Sequence, residues 1–215
     1  LSRIFEDVPA QLNRKLSRYM LHPVIGDTDP VKEDSLISEL AASMIVNMCY
    51  HTADPANGLA LDYNKDYFKI YVGDTGLFVT LAFWDRDVAE NEIYKKLLSD
   101  KLSANLGYVY ENAVAQILIS SGRKLFYYTF PSESRHLYEI DFLITRGSKI
   151  SPIEVKSSGY KTHKSLDDFL CKYSAKVKDP LVVFTKDYHK EGDIMFLPIY
   201  LLPFYLQTVS YTHLR

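Results

Sequence analysis

The sharpest hydrophobic pattern lies in the second half of the chain. Leu106, Tyr110, Ala113, Val114, Ile117 and Leu118 recur at helical spacing and form one apolar stripe. Gly122 stands where a left-handed C-terminal cap is expected. Leu125–Phe130 is aromatic and strand-prone. Tyr138–Thr145 alternates, which predicts Tyr138, Ile140, Phe142 and Ile144 on one face. Arg146-Gly147-Ser148 reads as a turn, and Lys149–Lys156 as the next strand, with Pro152 near its start. Ser165 opens a predicted helix carrying Leu166, Phe169, Leu170 and Tyr173. Leu181–Thr185 and Ile194–Tyr200 read as short strands. The order helix, three strands, helix, strand predicts an α/β fold, a mixed sheet flanked by helices.

The first half is less regular. Leu12, Leu16, Tyr19 and Met20 fall at helical spacing within residues 7–22, and Pro23, Gly26, Asp27, Asp29 and Pro30 mark a loop over 23–34. Ser35 is the expected N-cap of a helix through Leu36, Leu40, Ile45 and Met48. Leu59–Tyr63 and Phe68–Val72 flank Asn64-Lys65-Asp66 and predict a β-hairpin. Helix plus hairpin suggests a small winged-helix-like α+β region. Gly73-Asp74-Thr75-Gly76-Leu77 has two glycines but no following Gly-Lys-Ser/Thr, so it reads as a turn into a helix over 77–83 rather than a phosphate cradle. Residues 85–100 are charged and read as a solvated connector or surface helix. A boundary is expected near residue 100, dividing 1–100 from 101–215.

Composition narrows the classes. With 47% hydrophobic residues, 17 Tyr and 11 Phe, the 215-residue chain can bury a sizeable core. A formal charge of −2 gives no global field toward nucleic acid, so any such contact needs a local patch. Cys49 and Cys171 lie far apart without metal-ligand spacing and are expected as reduced core or near-core thiols of a cytoplasmic protein. No apolar run reaches membrane-spanning length and no signal peptide is visible. The chain begins with Leu rather than Met, which suggests a fragment with a preceding domain missing.

Candidate chemistry concentrates on the two central strands. Glu154 and Lys156 share one strand face, and Glu139 and Asp141 share the non-apolar face of the strand before. Pairing through the 146–148 turn would bring an acid from each strand to a lysine. Asp141 and Glu154 suit a hard cation such as Mg²⁺ or Mn²⁺, with the Val155 carbonyl between two site residues and Glu111 of the preceding helix in reach through water. Lys156 would orient an attacking water or stabilise charge on a phosphate. The competing expectation is a Glu154–Lys156 charge pair on a solvated sheet edge, contributing about 0–1 kcal/mol. Lys156, Lys161, His163 and Lys164 form a basic run that either holds a phosphate backbone or is a solvated loop. His136 is expected to be a loop residue and Trp84 a core or interface anchor. The stretch from Tyr200 to Tyr211 reads as a partner surface or a last strand.

Asp141, thirteen positions before Glu154-Val155-Lys156, resembles the PD-(D/E)XK nuclease motif. Lys69–Leu77 (KIYVGDTGL), Gly107–Val114 (GYVYENAV), Tyr138–Ile144 (YEIDFLI), Ile153–Ser158 (IEVKSS) and Lys164–Phe169 (KSLDDF) together resemble the family called domain of unknown function 4143. That resemblance implies a restriction-endonuclease-like fold following an AAA-type ATPase domain, which would bind ATP outside this chain. It matches Asp141, Glu154 and Lys156 to the nuclease core and Glu111 to the acid of its first helix. The longer polar loop at Ser132, Glu133, Ser134 and Arg135 bears on substrate preference. The expected function is a Mg²⁺-dependent DNA endonuclease coupled to the ATPase. The alternative is a non-catalytic adaptor that binds DNA or protein for it.

Overall fold

The computed structural model describes residues 2–27, 29–83, 107–132 and 136–210. Trp84, the charged run 85–100, the expected boundary near residue 100, Leu106, the loop residues Glu133, Ser134 and Arg135, and Tyr211 to Arg215 lie outside them.

The first seventy or so residues form three α-helices and two strands among the described residues. They are α1 (Ser2–Asn13), a short α2 (His22–Ile25), α3 (Pro30–Ala42), and the strands β1 (Val46–Thr52) and β2 (Tyr63–Val72). Helix α3 starts earlier than expected. Asp29, not Ser35, is its N-cap, accepting a hydrogen bond from the Val31 amide, and Pro30 occupies the first turn, where its missing N–H costs nothing. The helix stops at Ala42. Met44 then adopts a left-handed φ of 59°, and Val46 begins a strand. Ile45 and Met48 therefore do not continue the helix, because β1 finds a partner in β2.

The predicted hairpin is also different. Asn64-Lys65-Asp66 lies inside β2 instead of joining two strands, and β2 pairs antiparallel with β1. The pairing jumps from Tyr50–Phe68 to His51–Asn64, so the polar triplet is an irregularity opposite a continuous β1. β1 in turn pairs in parallel with β3 (Leu125–Pro131), so strands from both sides of residue 100 share one sheet.

The helix over 77–83 is found as α4 (Thr75–Phe83), with Asp74 accepting from the Leu77 amide. Gly73 serves a close approach of the backbone to the end of α3 and the start of β1. Its N–H donates to the Ile45 carbonyl at 2.7 Å, and a Cβ there would sit 2.9 Å from the Met44 carbonyl oxygen.

From residue 107 the predicted order holds: α5 (Gly107–Ser120), β3, β4 (Leu137–Arg146), β5 (Lys149–Val155), α6 (Lys164–Tyr173) and β6 (Leu181–Phe184). Gly122 caps α5 with a φ of 78°. Unforeseen are the short β7 (His189–Glu191), which pairs antiparallel with β8 (Ile194–Pro198), and α7 (Leu202–Ser210). The Tyr-rich end is thus a helix, not a last strand. Leu202 and Leu206, one turn apart, bury its inner face.

The eight strands run in the order β2-β1-β3-β4-β5-β6-β8-β7. Pairs β1–β3, β5–β6 and β6–β8 are parallel and the other four antiparallel, which makes the expected mixed sheet. One face packs under α5 and α7 through Val114, Leu118, Phe142, Ile144, Ile153 and Leu206. The other packs under α6 through Ile140, Leu143, Leu166 and Phe169. Cys49 is buried, whereas Cys171 is exposed on α6, against the expectation of a near-core thiol. No helix among the described residues is long and apolar enough to cross a membrane.

Candidate functional site: a buried acidic cluster at the splayed end of two strands

The predicted face of β4 changes partway along. Tyr138 and Ile140 pack with Leu143 on the α6 side, while Phe142 and Ile144 pack on the α5 side. A register shift is the cause. Three residues of β3, Phe126 to Tyr128, oppose four of β4, Ile140 to Leu143. The extra residue of the bulge flips the alternation between Asp141 and Phe142 and re-aims the side chains around it.

Beyond the bulge β4 leaves β5. Their pairing runs from Arg146–Lys149 only as far as Phe142–Ile153. β5 continues alongside β6, and the Lys156 amide still donates to the Val183 carbonyl. Asp141 fills the opening: its Oδ2 accepts from the Val155 amide at 2.7 Å. The Val155 N–H thus holds the Asp141 carboxylate in place.

Glu154 and Lys156 form an ion pair at 2.8 Å, with side chains only 6% and 25% exposed. This excludes a solvated edge pair. The Ser165 hydroxyl at the start of α6 also donates to Glu154 Oε1, at 3.1 Å. Glu154 Oε2 is buried without a hydrogen-bond partner. Such an atom carries an uncompensated desolvation cost unless a proton or a cation reaches it.

Three further charges complete the cluster. Glu111 comes from α5, where its Oε2 accepts from the Tyr71 hydroxyl at 3.5 Å. Glu139 pairs with Lys69 of β2, which is buried and lies 5.2 Å from the centre of the Tyr127 ring. Lys69 was not singled out from the sequence. Its signal was a lysine inside the otherwise apolar run Phe68-Lys69-Ile70-Tyr71-Val72. His136 and Lys161 are exposed, and His163 pairs with Asp167 one helical turn away at 3.0 Å. The basic run thus faces solvent beside the cluster.

When fully ionised, the four carboxylates Glu111, Glu139, Asp141 and Glu154 outnumber the ammonium groups Lys69 and Lys156 by two charges. Burial and mutual repulsion push the acids up. Glu111 rises to about 8, through burial and then Asp141, and Glu154 to about 7, through burial and then Asp141. Asp141 is raised by burial against the pull of the Val155 amide, and Glu139 by burial against Lys69. Burial would lower both lysines, but Glu139 and Glu111 hold Lys69 up, and Glu154 holds Lys156 up.

These shifts give stability a pH dependence with a definite sign. Between the ordinary carboxyl value of 4.5 and about 8, folded Glu111 keeps a proton that the unfolded chain releases. Its contribution is therefore fully present below about 4.5 and is lost as pH rises through the folded value. The melting temperature should fall from pH 5 to pH 8, and Glu111→Gln should remove on the order of 1–3 kcal/mol of that slope. Thermal melts of both proteins across this range check it. Parallel curves would show that Glu111 ionises freely in the fold.

The donors are of the hard oxygen type that Mg²⁺ and Mn²⁺ take, and the orphaned Glu154 Oε2 and two surplus negative charges fit a divalent ion. The side chains are within electrostatic reach of one another. Yet among the described residues no group of three or more His, Cys, Asp or Glu side chains is gathered closely enough to hold a metal ion as it stands. Asp141 Oδ2 is engaged by Val155, and Glu154 Oε1 by Lys156 and Ser165. Binding would draw on the remaining oxygens and on Glu111.

Compared with known proteins, no curated protein and no solved structure matches the chain. Residues 106–202, the segment that supplies Glu111, Asp141, Glu154 and Lys156, match the model of the family described as domain of unknown function (DUF4143).

Proposed function

We propose that this chain is a divalent-metal-dependent nuclease-like domain acting on DNA, in a restriction-endonuclease-like fold. The observation that carries this reading is the buried cluster of Asp141, Glu154 and Lys156 with its surplus of negative charge and one orphaned carboxylate oxygen. Surface ion pairs do not produce such a cluster, and perturbed acids beside a lysine are typical of sites that do chemistry.

Asp141 and Glu154, with Glu111 behind them, would hold Mg²⁺ or Mn²⁺. The ion would lower the pKa of a water and polarise a phosphoryl oxygen. Lys156, at the rim of the cluster and one-quarter exposed, is placed to donate to the phosphate or orient the water. Ser165 and the Val155 amide hold the two acids in position. Asp141 at the bulge and Glu154 beyond the last β4–β5 pair lie where the two strands part, with Lys156 on the solvent side of them. The resemblance supports a preceding AAA-type ATPase that would bind ATP and deliver the DNA.

Incubating the chain with single- and double-stranded DNA in Mg²⁺ or Mn²⁺ tests this. Cleavage that stops on chelation is expected. DNA binding that weakens with salt but ignores chelation, with no cleavage, would favour the adaptor reading instead.

A further inference from the structure

We propose that a second site, at the opposite end of the β4–β5 hairpin from the acidic cluster, binds a phosphate group between Arg123, Arg146 and Tyr205. Arg146 is the last residue of β4, on the face covered by α5 and α7. It is 5% exposed, and its Nε, Nη1 and Nη2 are all buried without a hydrogen-bond partner. A guanidinium keeps its charge at any ordinary pH, so this one cannot escape burial by losing a proton. Among the described residues no carboxylate takes a hydrogen bond from it. Its guanidinium carbon lies 4.7 Å from the centre of the Tyr205 ring, a contact that leaves the in-plane donors free.

The groups around it are donors as well. Arg123, in the turn after α5, reaches the Thr145 carbonyl with Nη1 at 3.4 Å and leaves its Nε buried and unpartnered. Burial, and then Arg146 beside it, hold its pKa below the usual value. The Tyr205 hydroxyl on α7 is buried as well; its oxygen faces the Arg146 guanidinium, and its own proton has no acceptor. Asp179 acts on that hydroxyl electrostatically but forms no ion pair with either arginine among the described residues. Arg123, Arg146 and Tyr205 thus bring five buried donor atoms together, with the Tyr205 oxygen the one acceptor among the three side chains. Two like charges lie side by side.

A ligand that resolves this is an anion rich in acceptors. A carboxylate brings two oxygens, while a phosphate brings three or four and takes paired donors from a guanidinium edge. Arg123 is half-buried and gives the way in from solvent. The site is distinct from the acidic cluster. Arg146 lies five strand positions from Asp141, roughly 16 Å along β4. The inference does not rest on nuclease activity.

The test is calorimetry and thermal denaturation of the full chain with inorganic phosphate, against chloride at matched ionic strength. Saturable binding with a rise in melting temperature is expected. It should be lost in Arg146→Met and weakened at least tenfold in Arg123→Gln, while Glu154→Gln keeps it. If Arg146→Met fails to fold, Arg123→Gln and Tyr205→Phe at the rim carry the test. A 5′-mononucleotide, run in parallel, separates sources. Its binding marks a site open to phosphate esters, and binding of the free ion alone marks a closed one, both in keeping with the proposal. No saturable phosphate binding by the wild type, or undiminished binding in Arg123→Gln and Tyr205→Phe, would overturn it.

Discussion

Lys156→Ala should lower metal-dependent cleavage by at least about a hundredfold while the fold survives. The size follows from the position of the ammonium group. It is three-quarters buried, next to the site's acids, where a charge aimed at the reacting phosphate counts far more than in water. The fold should survive because Glu154, whose pKa already lies near 7, answers the loss of its partner by taking a proton. Ser165 still donates to its Oε1. The measurement is the initial rate at saturating Mg²⁺, with circular dichroism to confirm folding. Cleavage by the folded variant at the wild-type rate would reduce Lys156 to a counter-ion for Glu154.

Asn112→Ala should destabilise the chain by about 3 kcal/mol, whatever the domain does. Asn112 is fully buried on α5. Its side-chain amide pairs with the main chain of Val72 in both directions, accepting from N at 2.8 Å and donating to O at 3.0 Å. One turn on, Gln116 Oε1 accepts from both the amide and the hydroxyl of Thr75. Together the two side chains fasten the turn after β2 to α5. Alanine leaves a buried N–H and C=O unpaired beside the cavity where the amide stood. The melting temperature should drop by roughly 5–10 °C, and the Val72 amide should exchange faster with deuterium. A shift under about 2 °C would mean that water replaces the amide.

This fastening explains why two distant stretches, Lys69–Leu77 and Gly107–Val114, carried the resemblance jointly: they are bound to each other in the fold. The second half of the chain was legible because its periods are clean. The stripe of α5, the Gly122 cap and the alternation into β5 each decide between helix and strand locally. Asp141, Glu154, Lys156 and Glu111 were singled out from strand alternation, the edge of the stripe and the resemblance, and the structure brings them within electrostatic reach.

What escaped was set by tertiary pairing or by single-residue irregularities. Ile45 to Met48 has helical spacing, yet β2 claims it as a strand. Asn64-Lys65-Asp66 has turn chemistry but is a bulge within β2. The bulge of β4 leaves no mark in a run of alternating residues, yet it moves Phe142 and Ile144 to the other face from Ile140. The unpartnered donors of Arg146 are invisible before the fold is known, since an arginine at a strand end reads as solvated.

Calorimetric titration of Mn²⁺ and Mg²⁺ into the wild type and Asp141→Asn tests the central claim most directly. Asparagine keeps an oxygen for the Val155 amide, so the site's shape is retained while one negative charge is removed. The account predicts saturable binding to the wild type, proton release near pH 7 as Glu154 and Glu111 ionise, and loss of binding in the variant. Equal binding to both proteins, or none to the wild type in the presence of DNA, would contradict it.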